Sequence, residues 1–301
     1  MSDTAESVRR KINSALELES VVRSMKALAA SSIGQYESAV NALTDYYRTV
    51  ELGLATCVDP ALMSNTHLKQ GHDTEINAVV FGSDQGLVGQ FNEVIVDFAL
   101  QALTAYPGKK NILAVGERIH SRLEDSGLKP SGLLSVPNSV SAITSLIGQI
   151  LIQSQLDKPR YGASNLYIFH NALSRNSRSG TIYSPLSQRL LPLDIAWVRK
   201  LKEIPWPTNN RAEIAVSAAV TNRSGSTLSA LIREYLFVSL YKACAQSLAS
   251  ENSSRLAAMQ RAEKNISELL EDLNQTFHRL RQSTIDEEMF DVISGFEALV
   301  I

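Results

Sequence analysis

The stretch from Ser226 to Ser294 contains neither glycine nor proline, and this feature most constrains how the chain can fold. Since an α-helix rises about 1.5 Å per residue, an unbroken helix of this length would approach ~100 Å. Residues recur in it at alternating steps of three and four, the spacing of a coiled-coil seam. Glu263 is the one polar member of this series, and Ala262 beside it could cover that position. The predicted seam residues are Leu256, Met259, Glu263, Ile266, Leu270, Leu273, Phe277 and Leu280.

The first zone, from about Thr4 to Cys57, carries a similar apolar series and also lacks proline. Gly34 is only a mild penalty within a helix. Each terminal helix is longer than a domain of about 150 residues is wide, so we predict that the two pair antiparallel with each other. The seam residues of the first zone are Val8, Ile12, Ala15, Leu18, Val22, Met25, Ala29, Ile33, Tyr36, Val40, Leu43, Tyr47, Val50 and Leu54.

The middle of the chain alternates short apolar strands with amphipathic helices, which indicates a mainly parallel sheet. The predicted strands are Ile76–Phe81, Asn111–Val115, Asn165–Phe169, a weaker one at Leu133–Val136 and an edge strand within Arg178–Pro192. The predicted helices are Leu87–Tyr106, one ending near Asp125, and Val140–Leu156, with an irregular connection over Pro192–Arg211. The predicted fold class is therefore α/β, with a long antiparallel coiled coil of the N- and C-terminal helices and a central Rossmann-like domain. The predicted domains are 1–57, 58–212 and 213–301.

Composition excludes several classes of function. The chain has 29 Lys and Arg against 31 Asp and Glu, and this near-neutral balance argues against a nucleic-acid-binding protein. Cys57 and Cys244 lie far apart outside any CxxC pair, which disfavours a disulfide framework or a zinc site. No stretch reaches the roughly 18 apolar residues that span a bilayer, so we expect no direct membrane insertion.

The segment Ser83–Gln90 follows a strand and opens a helix, where dinucleotide-binding folds hold a pyrophosphate. Its glycines do not fit GxGxxG, and the chain contains no GxxxxGK[ST] motif, so we interpret the segment as a tight strand-to-helix turn. The five histidines are scattered, without the clustering that a metal site needs. We therefore predict no cofactor, no metal and no catalytic residues.

Two features suggest a protein partner. The first helix is locally basic, with Arg9–Lys11, Arg23 and Lys26, and either solvent or the acidic loops of a partner would suit this face. The final stretch, Val292–Ile301, is apolar where chain ends are usually polar. Either another protein binds and covers this tip, or the tip folds back on the chain's own core.

Three segments together resemble the gamma subunit of F-type ATP synthases over nearly the whole chain. Val21–Ala30 is similar to the family's ITKAMKMVAA block, Ser83–Asn92 to SDRGLCGGLN and Ser250–Met259 to SEQASRMVAM. Arg281–Gln282 and Ile293–Gly295 fall where the family has RQ and VSG. The chain departs from the family at Ser31–Gly34, which replaces lysine-rich sequence, and at Val88, which replaces a common cysteine. These departures suggest a divergent or alternate F-type branch.

The resemblance implies a non-catalytic central-stalk rotor that couples ion flow through the membrane ring to ATP synthesis or hydrolysis on the beta subunits. The implied partners are the alpha and beta subunits of the F1 hexamer, the epsilon subunit and the c-subunit ring. The implied location is peripheral, on the cytoplasmic face of a bacterial or archaeal membrane. Two rival functions remain, a coiled-coil scaffold and a small-molecule enzyme using the α/β domain. The residues that match the family's hexamer contacts are Met25, Lys26, Arg255, Arg281 and Gln282.

Overall fold

The computed structural model describes residues 4–57, 75–106, 108–154, 165–174, 182–203 and 224–300, without the side chains of 195, 224–226 and 295–300. The chain forms two compact units. One combines Met1–Ala30 with Arg255–Ile301, and the other is Ser31–Ser254. Both boundaries lie inside the terminal helices, and the division at 57 and 213 stays a prediction.

Seven helices occur in the described parts of the chain. They are α1 Ala5–Ala42, α2 Thr44–Cys57, α3 Phe91–Thr104, α4 Glu117–Asp125, α5 Val140–Gln153, α6 Ile195–Glu203 and α7 Ser224–Val300. The first helix is interrupted by a turn at Leu43, among polar residues that favour turns over helix interiors. The prediction of an irregular connection over Pro192–Arg211 is wrong for Ile195–Glu203, which form helix α6. The Asp194 carboxylate caps this helix by accepting a hydrogen bond from Ala196 N at 2.9 Å. Val198 and Leu201 of the helix are buried.

The Ser31–Ser254 unit contains a five-stranded sheet of order β3-β2-β1-β4-β5. The strands are β1 Ile76–Phe81, β2 Lys110–Val115, β3 Gly132–Leu134, β4 Asn165–Leu173 and β5 Tyr183–Leu191. The first four are parallel, and β5 runs antiparallel along β4 at the edge. The predicted parallel sheet and its edge strand are therefore confirmed. Helix α3 begins later than predicted because residues 83–90 form the turn before it.

Side chains that alternate along the strands build a core on each face of the sheet. On one face Val79 and Phe81 pack in a cluster with residues of α5 and of α7, including Leu240. On the other face Ala78 and Val80 pack in a second cluster with residues of α3 and α4. The sheet is thus covered on both sides, as doubly wound parallel sheets require.

In the unit formed by Met1–Ala30 and Arg255–Ile301, α1 and α7 form the predicted antiparallel pair. The predicted seam positions are the less exposed ones, with Val8, Ala15, Ala29 and Met259 buried. The assignment of Leu18 to the seam is wrong, because its side chain is 58% exposed. An α-helix has 3.6 residues per turn, so a series spaced at 3.5 drifts around it. At this turn the neighbouring residue, Glu19, is the less exposed one.

Replacing Gly116 should destabilise the fold because of its backbone conformation. Its φ is +121°, and a Cβ built on it would lie 2.7 Å from the carbonyl oxygen of Ser83. We expect Gly116→Ala to lower the free energy of unfolding by about 2 kcal/mol or more, measured by urea denaturation. Gly148→Ala is the control, since a Cβ there meets nothing within 4 Å in helix α5 and should stabilise by up to about 1 kcal/mol. Equal effects of the two substitutions would contradict this account of the turn.

Candidate functional site

Lys26 and Glu263 meet across the helix pair. Lys26 Nζ lies 2.5 Å from Glu263 Oε2, and the two side chains are 34% and 27% exposed. Glu263 is the polar residue in the otherwise apolar α7 seam. An ion pair with Lys26, rather than the neighbouring Ala262, accommodates it at this position. A lysine stem can bury its methylenes along apolar surface while its ammonium group reaches the carboxylate. The lysine predicted to contact a partner is thus already engaged within the chain.

The other predicted contact residues differ in exposure. Met25 and Arg255 are half-buried, whereas Arg281 and Gln282 are exposed. Every described side chain from Arg281 to Ser294 is exposed. The structure thus separates the five predicted residues into three near the paired region and two on the outer part of α7.

Exposed apolar side chains accompany these residues on both helices. On α1 they are Leu16, Leu18, Val21 and Leu28. On α7 they are Leu269, Ile285, Met289, Phe290, Val292 and Ile293. Val292 is 72% exposed, so the described part of the tip does not fold back on the chain's own core. Sequence reasoning identified the apolar tip but not the exposed apolar side chains of α1, among which it assigned Leu18 to the seam. The two sets together are called the exposed apolar side chains.

The Ser83–Gln90 turn is fixed by buried polar groups. Ser83 N donates to Asn92 Oδ1 at 3.1 Å, and Asn92 Nδ2 donates back to Ser83 Oγ at 2.8 Å. The Asp84 carboxylate accepts from Glu117 N at 3.0 Å and from Val136 N at 2.9 Å. The carboxylate therefore joins the turn to the start of α4 and to the segment that follows β3.

This turn presents one apolar side chain in an unusual backbone conformation. Leu87 has a φ of +63° and is 62% exposed. The left-handed region is disfavoured for residues with a Cβ, so the surrounding hydrogen bonds must hold it there. Val88, the next residue, is buried. The interpretation of this segment as a tight strand-to-helix turn agrees with this geometry.

The last helix closes the edge of the sheet where doubly wound folds bind ligands. That edge lies at the carboxyl ends of β1 and β4, where the direction of strand order reverses. Ser254 Oγ donates to Val88 O at 2.5 Å. The Ser250 hydroxyl lies 2.8 Å from Gln246 O of its own helix and 3.2 Å from Asn171 O, so its single proton is shared between these two acceptors. Ser250 and Ser254 of α7 therefore lie at the edge that the rival enzyme function would need near Ser83–Gly89, and a cavity of about 260 Å³ remains beside them, lined in part by Leu173 and Gln246.

His170 is the described histidine with a strongly shifted pKa. Burial lowers its pKa to about 4, although a hydrogen bond to Gln246 partly opposes that shift. The ring is therefore neutral near pH 7. Among the described residues, no three His, Cys, Asp or Glu side chains are placed to hold a metal ion. No described helix is long and apolar enough to cross a membrane.

A family model described as ATP synthase matches residues 4–299. The chain belongs to this ATP synthase family. It is 24% identical over 299 residues to the ATP synthase gamma chain of Bacteroides fragilis, covering 96% of this chain and 97% of that one. It is 25% identical over 309 residues to the ATP synthase gamma chain of Sulfurihydrogenibium sp., covering 97% of each. The resemblance drawn from the sequence motifs is confirmed.

Solved structures of the same family share the fold. A chain of the Euglena gracilis mitochondrial ATP synthase, solved as OSCP, F1 and c-ring, has a TM-score of 0.67 at 14% identity, covering 98% of this chain and 94% of that chain. A chain from the Tetrahymena thermophila ATP synthase central stalk and c-ring has a TM-score of 0.51 at 23% identity, covering 80% and 99%. The predicted fold class is confirmed by these likenesses.

The Lys26–Glu263 pair should contribute measurably to stability because both groups are partly shielded from water. We expect a double-mutant cycle with Lys26→Met and Glu263→Gln to give a coupling of about 1 kcal/mol that weakens in high salt. The control cycle uses Lys264 and Glu268, an exposed pair 3.7 Å apart on α7, with an expected coupling of a few tenths of a kcal/mol. Equal coupling in the two cycles would show that the pair between α1 and α7 has no special role.

His170 should make stability depend on pH. Its pKa of about 4 in the folded chain lies below the usual 6.5, so the unfolded chain binds more protons between these values. The stabilisation is fully present above pH 6.5 and falls as the pH drops toward 4, by up to about 3 kcal/mol. Urea denaturation at pH 7 and pH 5 should show a smaller pH dependence for His170→Gln than for the parent. His278→Gln, on an exposed position of α7, should keep the parent's dependence; equal slopes in all three chains would contradict the assignment.

Proposed function

We propose that this chain is the central-stalk rotor subunit of an F-type ATP synthase, coupling ion flow through the membrane ring to ATP synthesis or hydrolysis on the beta subunits. One observation carries the proposal. The terminal helices expose apolar side chains on α1 and on α7 at once, those of α7 mainly between Ile285 and Ile293. Such exposed surface on a long helix pair marks a protein-binding surface. Membership of the ATP synthase family supports other subunits of the ATP synthase as the partners that bind this surface.

The proposed partner that covers the exposed apolar side chains is the hexamer of alpha and beta subunits. Leu18, Val21 and Leu28 would supply contacts from α1, and Ile285 and Met289 from α7. Burying an exposed leucine contributes roughly 1.5–3 kcal/mol. A surface of this kind provides affinity without directional bonds, so it suits a shaft that meets more than one partner state.

Polar contacts with the hexamer are proposed at Arg281 and Gln282. Both are exposed on α7, where an arginine can form a bidentate bond to a carboxylate of a partner loop. Met25 and Arg255, which are half-buried, are proposed as contacts at the paired region. Lys26 remains a proposed contact, although binding a partner carboxylate would compete with its bond to Glu263.

The chain is proposed to be a non-catalytic component of the complex. Ser250 and Ser254 of α7 contact the end of β4 and the Ser83–Gln90 turn, where a doubly wound enzyme would hold its ligand, which disfavours the small-molecule enzyme as a rival. The epsilon subunit and the c-subunit ring are the further proposed partners. The proposed location is peripheral, on the cytoplasmic face of a bacterial membrane, and the bacterial gamma-chain relatives support it.

The assembly itself is tested by co-purification of the tagged chain from its native membranes, followed by mass spectrometry. The rotor proposal predicts stoichiometric alpha, beta, epsilon and c subunits. Recovery of homo-oligomers without these subunits would favour the coiled-coil scaffold. Tight nucleotide binding by the isolated chain in calorimetry would favour the enzyme instead.

Arg281 and Gln282 should affect coupling more than stability. We expect Arg281→Ala or Gln282→Ala to lower ATP-driven ion pumping per ATP hydrolysed by at least about twofold, because each loses a polar contact with the hexamer. The melting temperature of the isolated chain should stay the same, since both side chains are exposed there. Arg261→Ala, another exposed arginine of α7, is the control. Normal pumping together with a large loss of thermal stability would instead make these residues structural.

A further inference from the structure

Three polar side chains of α7 form a row against the end of the sheet. Gln246, Ser250 and Ser254 are spaced by four residues, so they lie one above another on one face of the helix. Gln246 Oε1 is 3.0 Å from His170 Nε2, Ser250 Oγ is 3.2 Å from Asn171 O, and Ser254 Oγ is 2.5 Å from Val88 O. We call Gln246, Ser250 and Ser254 the polar ladder.

The partners of the polar ladder are themselves fixed. Asn171 Nδ2 donates to Phe91 O at 2.9 Å, which ties the end of β4 to the start of α3. His170 is buried and neutral, and the Gln246 oxygen can only accept, so the imidazole Nε2–H is the donor. The ladder therefore meets groups whose positions are set by the rest of the sheet.

These hydrogen bonds contribute more to the stability of this arrangement than three exposed bonds would, because they are buried. Ser250, Ser254 and His170 are all buried. A buried polar group that loses its partner costs about 1–3 kcal/mol. Turning α7 by one residue, about 100°, or sliding it by about 1.5 Å would break the contacts of all three side chains with His170, Asn171 and Val88 together, and Ser250 alone would keep a second acceptor, Gln246 O of its own helix.

The apolar contacts of the same helix are less restrictive. Leu240, Cys244 and Leu248 are buried against the sheet, and their attraction is non-directional. Hydrophobic cores tolerate rearrangement as long as volume and pattern are kept. Apolar burial thus holds α7 on the sheet, whereas hydrogen bonds select one orientation of it.

We propose that the polar ladder sets the rotational phase and the axial position of α7 against the sheet. Gln246, Ser250 and Ser254 are then positioning residues, and the crevice that holds ligands in other doubly wound sheets has become the anchoring site of the last helix. The inference concerns the chain alone, and only its final readout depends on the proposed function.

Cys244 provides a reporter for the orientation of α7. The chain has two cysteines, and Cys57→Ser leaves Cys244 as the single thiol. Cys244 is buried on α7, two residues before Gln246, and burial raises its thiol pKa. A thiol reagent reaches it only when the helix turns or detaches. The experiment measures its labelling rate in the full chain under native conditions.

The test variant is Ser250→Ala with Ser254→Ala. Ser253→Ala is the matched control, a half-buried serine on the same helix outside the ladder. Ile147→Val, in the same core cluster, provides a variant with an ordinary packing loss. Urea is adjusted so that the test variant and Ile147→Val have the same global free energy of unfolding.

If the ladder sets the phase, the double variant labels Cys244 at least about tenfold faster than Ile147→Val at equal global stability, while Ser253→Ala matches the parent. Equal rates in the double variant and Ile147→Val would overturn the proposal, because the ladder would then add only ordinary stability. In the assembled complex, the double variant should also pump fewer ions per ATP. A change in labelling without a change in pumping supports the ladder and shows that coupling does not depend on the orientation that the ladder sets.

Discussion

The structure depends on the need to cover two long apolar seams. In the unit of Met1–Ala30 and Arg255–Ile301 the helices α1 and α7 cover each other, whereas Tyr36, Val50 and Leu54 pack in the core cluster that includes residues of the sheet. Ala15 and Ala29 are small enough to be buried at this contact, and Met259 is buried with them in the same unit. The bond from Lys26 to Glu263 makes the one charged seam position compatible with pairing. What remains exposed is a set of apolar side chains on α1 and on the outer part of α7, and the proposed function gives these side chains a binding partner.

The α/β unit shows how a ligand-binding architecture can serve another purpose. Its parallel strands end at an edge where a doubly wound sheet would bind a ligand. Here the Asp84 carboxylate and the Asn92 amide close the first turn, and Ser254 seals it from α7. These polar groups fix the turn in which Leu87 adopts a positive φ, a conformation that is uncommon for residues with a Cβ. The lack of a nucleotide motif in this turn of the chain agrees with the contacts that close it.

Much of the fold could be predicted because periodicity reports burial directly. The seams of both terminal helices and the strands β1, β2 and β4 followed from spacing alone. The helix α6 was missed because proline and tryptophan nearby suggested an irregular segment, whereas the Asp194 cap acts locally and outweighs that composition. Leu18 was misplaced because a fixed 3.5-residue spacing ignores the drift of an α-helix. The ion pair of Lys26 could not be predicted, since it depends on which residues two distant helices bring together.

The candidate contact residues show the limit of a family resemblance. Matching motifs located Arg281 and Gln282 on an exposed part of α7, but a motif carries no information on whether Lys26 is already paired. The most direct test of the rotor account is oxidative footprinting of Met289 and Phe290 in the isolated chain and in the purified complex. Both side chains are exposed in the chain by itself. The account predicts rapid modification of the isolated chain and strong protection in the complex, and equal modification in both would contradict it.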